Sequence, residues 1–395
     1  EIPLRLVGSE MCIRDRKITM KDLKEIRAEI DSVDKELVSL YEKRMALTEQ
    51  VADYKLSTGK KVFDKAREEE KLEKVTSMVD DPFLKRGTRE LFEHLMSMSR
   101  KRQYQKLAEK GIMEPIPFEE VVALPDKNIR IVYQGEEGAY SQMAMQQFFH
   151  DTTNSYHVQT WRDAMEAIAK GEADYAVLPI ENSSAGIVSE NYDLLVEYDN
   201  CIVGEQIIPI DHCLLGTKGS KLSDIEQVYS HPQALMQCGR YLDEHRNWEK
   251  HSFKNTAMAA KKVKEDGLLR QAAIASRLTA DIYRLDILDE HIQDNSNNCT
   301  KFVIVTGRKI FLKNAGKISI CFEIPHESGS LYHMLSHFIF NDLNMNKIES
   351  RPLGERNWEY RFFIDFEGNL NESAVKNALH GIKAVSYTHL RAHET

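Results

Sequence analysis

A run of small polar residues at positions 181–186 is the stretch of this sequence best suited to bind a ligand. It supplies a carboxylate, an amide, two hydroxyls and a glycine, in the order Glu181, Asn182, Ser183, Ser184, Ala185 and Gly186. An apolar run precedes it at 175–178 and helical spacing follows at 188–198, so it lies where a buried strand is followed by a helix. In open α/β sheets ligands bind beyond the carboxyl ends of strands, and free N–H groups at a helix N-terminus favour anions. The same residue types also make an ordinary turn and N-cap, and the local pattern leaves both interpretations open.

Three more polar clusters lie at the ends of predicted strands in the same part of the chain, at 135–141, at 229–233 with Gln237 one turn later, and at 298–302, just before a strand. The first is a weak candidate for a nucleotide loop, because it lacks both G-x-G-x-x-G and G-K-[ST]. Each cluster alone is compatible with a cap or a turn. Four of them in one region of alternating predicted strands and helices indicate a binding cleft between two lobes.

A second candidate for chemistry is a pair of cations on a long predicted helix at 21–58, which contains neither proline nor glycine. Its apolar residues follow the alternating three-four spacing of a helix–helix seam, at Leu23, Ile26, Ile30, Val33, Leu37, Leu40, Leu47, Val51 and Tyr54. A helix of roughly 57 Å cannot bury that stripe against itself, so partner helices or a partner chain are required. Arg44 interrupts the seam, and Lys55 lies within about 20° of it around the helix axis. Together they would hold a small anion; the alternative is that Arg44 pairs with a glutamate and sets partner specificity.

Two further helices complete a predicted bundle. Asp64 caps the second helix, which carries Arg67 and Glu68. The third helix, from about position 88 to 109, has Ser99 and Gln103 four residues apart on one face. Polar groups that point into a three-helix bundle predict an enclosed site for an anion.

The net charge, the length of the apolar runs and the placement of cysteine and histidine exclude several classes of protein. A formal net charge of -9 argues against a surface that coats nucleic acid, and no apolar run approaches the roughly 20 residues that span a bilayer. The six cysteines include no C-x-x-C pair, and His333 and His337 have no third metal ligand in view. We therefore expect a cytoplasmic protein that binds no metal, cofactor, nucleic acid or membrane.

Length and patterning predict a multidomain fold with an all-α bundle, a two-lobed α/β domain and a small α+β domain. The predicted boundaries are 20–110 for the bundle, 111–127 for a linker, 128–307 for the α/β domain and 316–384 for the last domain. Residues 1–16 and 385–395 resemble translated adapter sequence, so we treat both as extraneous and Met20 as the natural start.

Residues 21–110 resemble the all-helical chorismate mutase domain found at the front of bifunctional phenylalanine-biosynthesis enzymes. The resemblance implies a dimer in which the partner's Arg27, together with Arg44 and Arg67, binds substrate carboxylates. It also implies that Lys55 and Gln103 donate to the ether oxygen and that Asp64 and Glu68 contact the substrate hydroxyl. Ser99 would add a further polar contact. The residues that the resemblance implies to be catalytic are Lys55, Gln103 and Glu68. Conversion of chorismate to prephenate is a pericyclic rearrangement that needs no nucleophile. The site has to hold a dianion in a chair-like conformer and stabilise charge on the ether oxygen.

Residues 128–307 resemble a prephenate dehydratase domain, whose fold is like that of periplasmic binding proteins. The essential threonine of the family's T-R-F signature falls on Thr300, and Lys301 stands in place of the arginine. Lys301 keeps the charge without the bidentate fork and would anchor a substrate carboxylate. The other implied substrate contacts are Asn182, Ser183, Ser184, Ser230 and Gln237. This domain would decarboxylate prephenate and remove its ring hydroxyl, giving phenylpyruvate, with Thr300 donating to that hydroxyl.

Residues 316–384 have a βαββα order and resemble an ACT regulatory domain of ferredoxin-like fold that lacks its last strand. The effector motifs fall on Gly329, Ser330, Leu331 and Tyr332, in place of G-A-L-V, and on Glu349, Ser350, Arg351 and Pro352. They would bind phenylalanine as a feedback inhibitor at a contact between protomers. Loss of the last strand would leave an open sheet edge.

The whole sequence thus resembles a bifunctional chorismate mutase/prephenate dehydratase, truncated in its last domain and acting as a homodimer or a higher homo-oligomer. Two alternatives stay open: dehydration of arogenate, which no residue here distinguishes from that of prephenate, and a non-catalytic sensor of an amino acid. Retention of Arg44, Lys55, Gln103 and Thr300 favours an enzyme, because a sensor has no need of a leaving-group donor.

Overall fold

The computed structural model describes residues 22–60, 62–111, 116–125, 127–353 and 359–393. Residues up to Gln103 form one compact unit, and residues from Tyr104 onward form a second. The predictions for residues 1–16 and for Met20 lie outside the described residues. No described helix is both long and apolar enough to cross a membrane.

The first unit is built of helices, as predicted. The helices are α1 (Leu23–Thr58), α2 (Lys65–Thr76) and α3 (Pro82–Glu109). α1 ends where Gly59 adopts a left-handed conformation with φ of 68°, which glycine adopts without a steric penalty. α2 begins at the predicted cap, because the Asp64 carboxylate accepts a hydrogen bond from the backbone N–H of Arg67 at 3.1 Å. α3 begins six residues earlier than the predicted position 88, at Pro82, and proline fits the first turn of a helix.

The apolar stripe of α1 is exposed in the single chain. Leu23 is 58% exposed and Leu40 is 63% exposed. Of all the residues of α1, only Thr48 and Ala52 are buried. Because burial of apolar surface is the dominant favourable term in folding and association, this stripe requires a partner surface that the described residues of the chain do not supply.

The second unit begins with β1 (Glu119–Val121), which lies in the predicted linker. The first lobe of the α/β region contains β2 (Ile131–Gln134), β3 (Ser155–Val158), β4 (Tyr175–Asn182), β5 (Gly186–Ile187), β6 (Cys201–Pro209) and β12 (Cys299–Thr306), with α4 (Tyr140–Phe148), α5 (Trp161–Ala169) and α6 (Ser189–Glu197). Its strand order is β3-β2-β4-β12-β6, and β5 pairs with β4. β1 pairs in parallel with β13 (Ile310–Leu312), directly after this lobe.

The second lobe is a five-stranded sheet with the order β11-β7-β10-β8-β9. Its elements are β7 (Cys213–Gly216), β8 (Gln227–Ser230), β9 (Glu249–Ser252), β10 (Gln271–Ala275) and β11 (Asp286–Asp289), with α7 (Pro232–Gln237), α8 (Gly239–Glu244), α9 (Thr256–Asp266) and α10 (Arg277–Tyr283). The chain passes between the lobes at 210–212 and again at 290–298, which confirms the predicted two-lobed α/β architecture. The single helix predicted at 232–244 is wrong: Cys238 turns the chain with φ of -110° and ψ of 28°, and the glycine after it weakens a continuous helix.

The C-terminal sheet has the order β15-β16-β14-β17, all antiparallel, in the topology of a ferredoxin-like α+β fold. Its elements are β14 (Lys317–Glu323), α11 (Ser330–Phe340), β15 (Met345–Pro352), β16 (Tyr360–Glu367), α12 (Ser373–Val385) and β17 (Tyr387–His393). The prediction that the last strand is absent is wrong, because β17 pairs with β14 along its whole length. The reason is that β14 offers an open edge of unpaired backbone groups, and residues 385–390 include the strand-favouring types Val, Tyr and Thr. Residues predicted to be extraneous therefore complete the sheet.

One face of the first lobe packs against the C-terminal sheet. The rings of Tyr192 on α6 and Phe363 on β16 meet edge to face, with their centroids 4.8 Å apart. Both residues belong to one buried apolar cluster with Val303 and Val305 of β12, whereas Phe302 and Ile304 of the same strand belong to the cluster on the α4 side. Neighbouring residues of β12 thus face two different parts of the molecule.

Candidate active sites

A cleft of about 540 Å³ lies between the two lobes, and all four predicted polar clusters contribute to its lining. The first lobe supplies Tyr140, Asn182 and Thr300, and the second lobe supplies Gln237 and Asn255. The prediction that these clusters line one cleft is confirmed. They meet because the carboxyl end of β4, the amino end of the antiparallel strand β12, and the first turns of α4 and α9 lie at the same gap between the lobes.

Asn182 and Thr300 form the centre of this cleft. They are paired residues on β4 and β12, and Asn182 Nδ2 donates to Thr300 Oγ1 at 2.9 Å. The same nitrogen also lies 2.9 Å from Asn298 Oδ1 and 3.1 Å from the carbonyl oxygen of Cys299, which share its other hydrogen. Asn182 Oδ1 in turn accepts from the backbone N–H groups of Ser184 at 3.0 Å and Ala185 at 2.9 Å. The Asn182 amide is therefore fixed in orientation. Because the Thr300 oxygen serves as an acceptor, its own O–H hydrogen is left to donate into the cleft.

Gln237 is held by a chain of hydrogen-bonding groups that sequence reasoning missed. His212 Nε2 lies 3.0 Å from Gln237 Oε1, and His212 Nδ1 lies 3.2 Å from the hydroxyl of Tyr140. Tyr140 also donates to the carbonyl oxygen of Asp211 at 2.8 Å. Burial lowers the pKa of His212, which favours a neutral imidazole at neutral pH. With the single proton of this neutral ring on Nε2, the ring donates to Gln237 Oε1, and His212 Nδ1 and the Asp211 carbonyl oxygen share the Tyr140 proton. This tautomer leaves the NH₂ group of Gln237 to donate to a ligand.

The three predicted serine contacts do not line the cleft. Ser230 is fully buried and donates to the carbonyl oxygen of Ile274 at 2.6 Å. The Ser183 hydroxyl accepts from the backbone N–H of Cys299 at 3.0 Å, and the Ser184 hydroxyl lies 3.4 Å from the Asn295 amide. These serines stabilise the loops beside the cleft.

Lys301 faces away from the cleft, contrary to the prediction that it anchors a substrate carboxylate. Successive side chains on a strand point to opposite faces, so Thr300 and Lys301 cannot both reach the same ligand. Lys301 Nζ lies 3.4 Å from Glu205 Oε1. It lines a separate charged cavity beside the C-terminal sheet, with Glu181, Lys317, Asn346, Lys347, Ile348, Glu349 and Asp365.

The predicted effector residues occupy two elements of the C-terminal domain. Gly329 caps α11 with φ of 81°, and Ser330 and Leu331 open that helix. The second motif, Glu349, Ser350, Arg351 and Pro352, lies on the outermost strand β15. β15 is tied to the first lobe by two ion pairs, Lys347 Nζ to Glu181 Oε2 at 2.7 Å and Arg351 Nη2 to Asp193 Oδ2 at 2.6 Å.

In the helical unit, Arg44 contacts another helix without a direct glutamate partner among the described residues. Arg44 Nη1 donates to the carbonyl oxygen of Leu95 at 3.0 Å and to the Ser99 hydroxyl. Gln103 Nε2 donates to the carbonyl oxygen of Ser99 at 3.2 Å, and Gln103 Oε1 is buried without a hydrogen-bond partner. The structure therefore brings Arg44, Ser99 and Gln103 together between α1 and α3.

The remaining cations and carboxylates of the helical unit divide into two groups. Lys55 Nζ donates to the carbonyl oxygen of Val62 at 2.5 Å. Burial lowers the pKa of Lys55, and the nearby charges of Asp64 and Glu68 act in the opposite direction. Glu68 pairs with Arg100, a residue that sequence reasoning did not single out. The second group is solvent-exposed and consists of Arg27 on α1 and Arg67, whose guanidinium pairs with Glu70 at 2.7 Å. Among the described residues no group of three or more His, Cys, Asp or Glu side chains is arranged to hold a metal ion.

Comparison with known proteins first defines the class of this chain. Residues 131–310 match the family model described as prephenate dehydratase, and residues 26–104 match the one described as chorismate mutase type II. A bifunctional chorismate mutase/prephenate dehydratase of Aquifex aeolicus (strain VF5) is 31% identical over 368 residues, which cover 92% of this chain and 95% of the relative. The chain belongs to the family of bifunctional chorismate mutase/prephenate dehydratases. It catalyses two steps of phenylalanine biosynthesis, from chorismate to prephenate and from prephenate to phenylpyruvate.

Two other proteins resemble the second unit. An arogenate dehydratase/prephenate dehydratase 1 of Arabidopsis thaliana is 38% identical over 270 residues, or 64% of this chain and 68% of the relative. The crystal structure of prephenate dehydratase from Arthrobacter aurescens in complex with L-Phe superimposes with a TM-score of 0.62 at 29% identity and covers 68% of this chain and 90% of that chain.

Proposed function

We propose that the cleft between the lobes is the dehydratase site and that Thr300 donates a hydrogen bond to the ring hydroxyl of prephenate as that group leaves. The observation that carries the proposal is the hydrogen bond from Asn182 Nδ2 to Thr300 Oγ1, because a nitrogen that can only donate leaves the threonine proton available to the ligand. Gln237 lines the same cleft and offers its amide N–H groups to the rest of the substrate.

The chemistry of the reaction fits this cleft. The bond between the ring and its carboxylate breaks and releases CO₂, and its electron pair enters the ring. The bond to the ring hydroxyl breaks as the ring becomes aromatic, and this group takes up one proton and leaves as water. Aromatisation drives the reaction, so the site has to assist the departing hydroxyl and leave the departing carboxylate weakly solvated. Thr300 meets the first need. The apolar lining residues Ile187, Ile210 and Phe302 meet the second.

The test of this assignment is Thr300→Ala assayed with prephenate, with Thr300→Ser as the matched control that keeps the hydroxyl. Loss of one such donor costs about 10²–10³-fold in kcat. Thr300→Ser should keep most of the activity. Equal activity of all three proteins would mean that the cleft is not the dehydratase site or that Thr300 has no part in it.

For the mutase we propose a site built around Arg44, Lys55 and Gln103 and completed by a second copy of the chain. Arg44 would bind a carboxylate, and Lys55 and Gln103 would donate to the ether oxygen as charge develops there. The exposed stripe of α1 supports the homodimer, since it needs a partner helix, and Arg27 lies on that same helix. The unpartnered Gln103 Oε1 marks a buried polar position where a rotated amide would present N–H groups to a ligand.

The test of this assembly is the double variant Ile30→Glu with Leu37→Glu, which should dissociate the dimer and abolish mutase activity. A double variant that is still dimeric and active would contradict this assembly.

We also propose feedback inhibition by phenylalanine through the ACT-like C-terminal domain. The support is the relative from Arthrobacter aurescens, whose structure holds L-Phe, together with the sequence Glu349-Ser350-Arg351-Pro352 on β15. Titration of dehydratase activity with phenylalanine tests the proposal, with tyrosine as the control ligand.

Arogenate as the preferred substrate of the second site is the remaining alternative, and the Arabidopsis relative is the observation in its favour. Comparison of kcat/KM for prephenate and arogenate on the same preparation decides between them.

A reducing, cytoplasmic location is proposed because the five described cysteines are free thiols.

A further inference from the structure

The cleft between the lobes has an unusual charge composition. None of its described lining residues is Asp, Glu or Arg, and its one lysine is Lys254. A dicarboxylate substrate suits a cleft without acidic side chains, because buried like charges repel. Such a substrate also requires a cation, and Lys301, which the sequence predicted for that role, faces Glu205 on the other side of β12.

The two histidines in the lining do not provide this cation. Burial lowers the pKa of both His212 and His231, which favours neutral rings at neutral pH. His231 Nδ1 also accepts a hydrogen bond from the backbone N–H of Gln233 at 3.2 Å, which requires an unprotonated nitrogen. Lys254 is therefore the one permanent positive charge among the described residues of the cleft.

Lys254 lies in the second lobe directly before α9, beside the cleft-lining residues Asn255 and Thr256. Neighbouring lysines on α9 are engaged: Lys261 pairs with Glu136 at 3.2 Å, and Lys262 pairs with Asp266. No carboxylate of the described residues forms an ion pair with Lys254. It projects from the positive end of a helix whose cap is already satisfied, because the Asn255 side chain accepts from the backbone N–H of Met258 at 2.7 Å.

We propose that Lys254 binds the side-chain carboxylate of the dehydratase substrate, across the cleft from Thr300. The proposal rests on the assignment of the cleft as the dehydratase site. The choice of carboxylate follows from the chemistry: a cation on the ring carboxylate would stabilise the group that must leave as CO₂ and would slow the reaction. The side-chain carboxylate is retained in phenylpyruvate. Lys254 thus holds substrate and product alike and connects the second lobe to a ligand whose reacting end lies on the first.

The proposal predicts that a substitution of Lys254 changes KM and leaves kcat nearly unchanged. Lys254→Gln should raise KM for prephenate on the order of tenfold or more, as expected for loss of a charged hydrogen bond, with kcat changed by less than about twofold. The inhibition constant of phenylpyruvate should rise by a similar factor, because the product keeps the same carboxylate. Lys254→Arg should restore most of the affinity. Lys264→Gln, a change at an exposed lysine of the same helix, is the matched control and should leave both constants unchanged.

The experiment is steady-state kinetics on the full chain, with mutase activity measured on each preparation as a check of folding. An unchanged KM in Lys254→Gln would overturn the proposal, as would a fall in kcat without a rise in KM. Thr300→Ala measured in parallel keeps the two assignments distinct. If Thr300→Ala is inactive and Lys254→Gln is normal, the cleft is the dehydratase site and the carboxylate is bound elsewhere; if both are normal, the cleft assignment itself fails.

Discussion

Asn182 Nδ2 donates a hydrogen bond to Thr300 Oγ1 at 2.9 Å, from the paired position on the neighbouring strand. Because Asn182 Nδ2 can only donate, the Thr300 oxygen accepts this bond and the Thr300 O–H hydrogen stays available to a ligand. This hydrogen bond also predicts that replacing the asparagine by its acid will impair the site. A carboxylate at position 182 would accept the threonine proton and turn it away from the cleft.

We therefore predict that Asn182→Asp lowers dehydratase kcat by roughly 10²–10³-fold, the range expected when one preorganised donor is lost. The change keeps the size of the side chain, so the fold should persist, and unchanged mutase activity would verify that. The measurement is phenylpyruvate formation from prephenate. Wild-type kcat in Asn182→Asp would rule out the donor role of Thr300 in this orientation.

Lys301→Ala is expected to leave the KM for prephenate within about twofold of wild type, because Lys301 contacts Glu205 and not the cleft. Lys301→Arg, which restores the residue of the T-R-F signature, should also leave KM unchanged. Steady-state kinetics of the two variants provide the check. A tenfold increase for Lys301→Ala would return this lysine to the substrate site.

The ion pair between Lys347 and Glu181 is expected to couple phenylalanine binding to catalysis. Glu181 precedes Asn182 on β4, and Lys347 lies two residues before Glu349 on β15, so the pair connects the strand of the cleft with the strand of the effector motif. Lys347→Met should raise the phenylalanine concentration for half-inhibition several-fold, because coupling energies are typically about 1–3 kcal/mol, while uninhibited kcat stays the same.

The control for this coupling is Lys309→Met, which removes an ion pair to Asp199 that involves neither β4 nor β15. If Lys347→Met and Glu181→Gln each weaken inhibition but their combination adds nothing further, the two residues act as a pair. Normal inhibition in Lys347→Met would exclude this route.

His212 should make the second unit less stable below a pH of about 6.5. Burial lowers its folded pKa, whereas the hydrogen bond to Gln237 and the charge of Asp211 act in the opposite direction and are outweighed. The unfolded chain therefore binds a proton that the folded chain does not, and stability falls as pH drops through the unfolded pKa, by up to about 1.4 kcal/mol per pH unit for one such group. Thermal midpoints between pH 5 and 7.5 should decline less steeply for His212→Asn. Identical slopes in the two proteins would show that His212 is not the group responsible.

The sequence predicted the helices and most strands because their signals are local. The Asp64 cap, the glycine after α1 and the apolar run before Asn182 each act within one turn or one strand. It failed where the outcome depends on which face of an element meets which neighbour. The resemblance to a T-R-F signature predicted that Thr300 and Lys301 both contact the substrate, whereas their side chains point to opposite faces of β12.

Other features were beyond the sequence for different physical reasons. Lys254 and His212 line the cleft because the second lobe lies against the first. The spacing of residues along the sequence does not predict that contact between the lobes. β17 was excluded on its unusual composition, although an open edge on β14 pairs with any nearby extended segment.

The most direct test of the two-site account is to supply chorismate to the full chain and follow chorismate, prephenate and phenylpyruvate together in wild type, Thr300→Ala and Lys55→Ala. Thr300→Ala should consume chorismate at the wild-type rate and accumulate prephenate without phenylpyruvate. Lys55→Ala should fail to consume chorismate while still converting added prephenate. Loss of both activities in either variant, or phenylpyruvate formation by Thr300→Ala, would contradict the account.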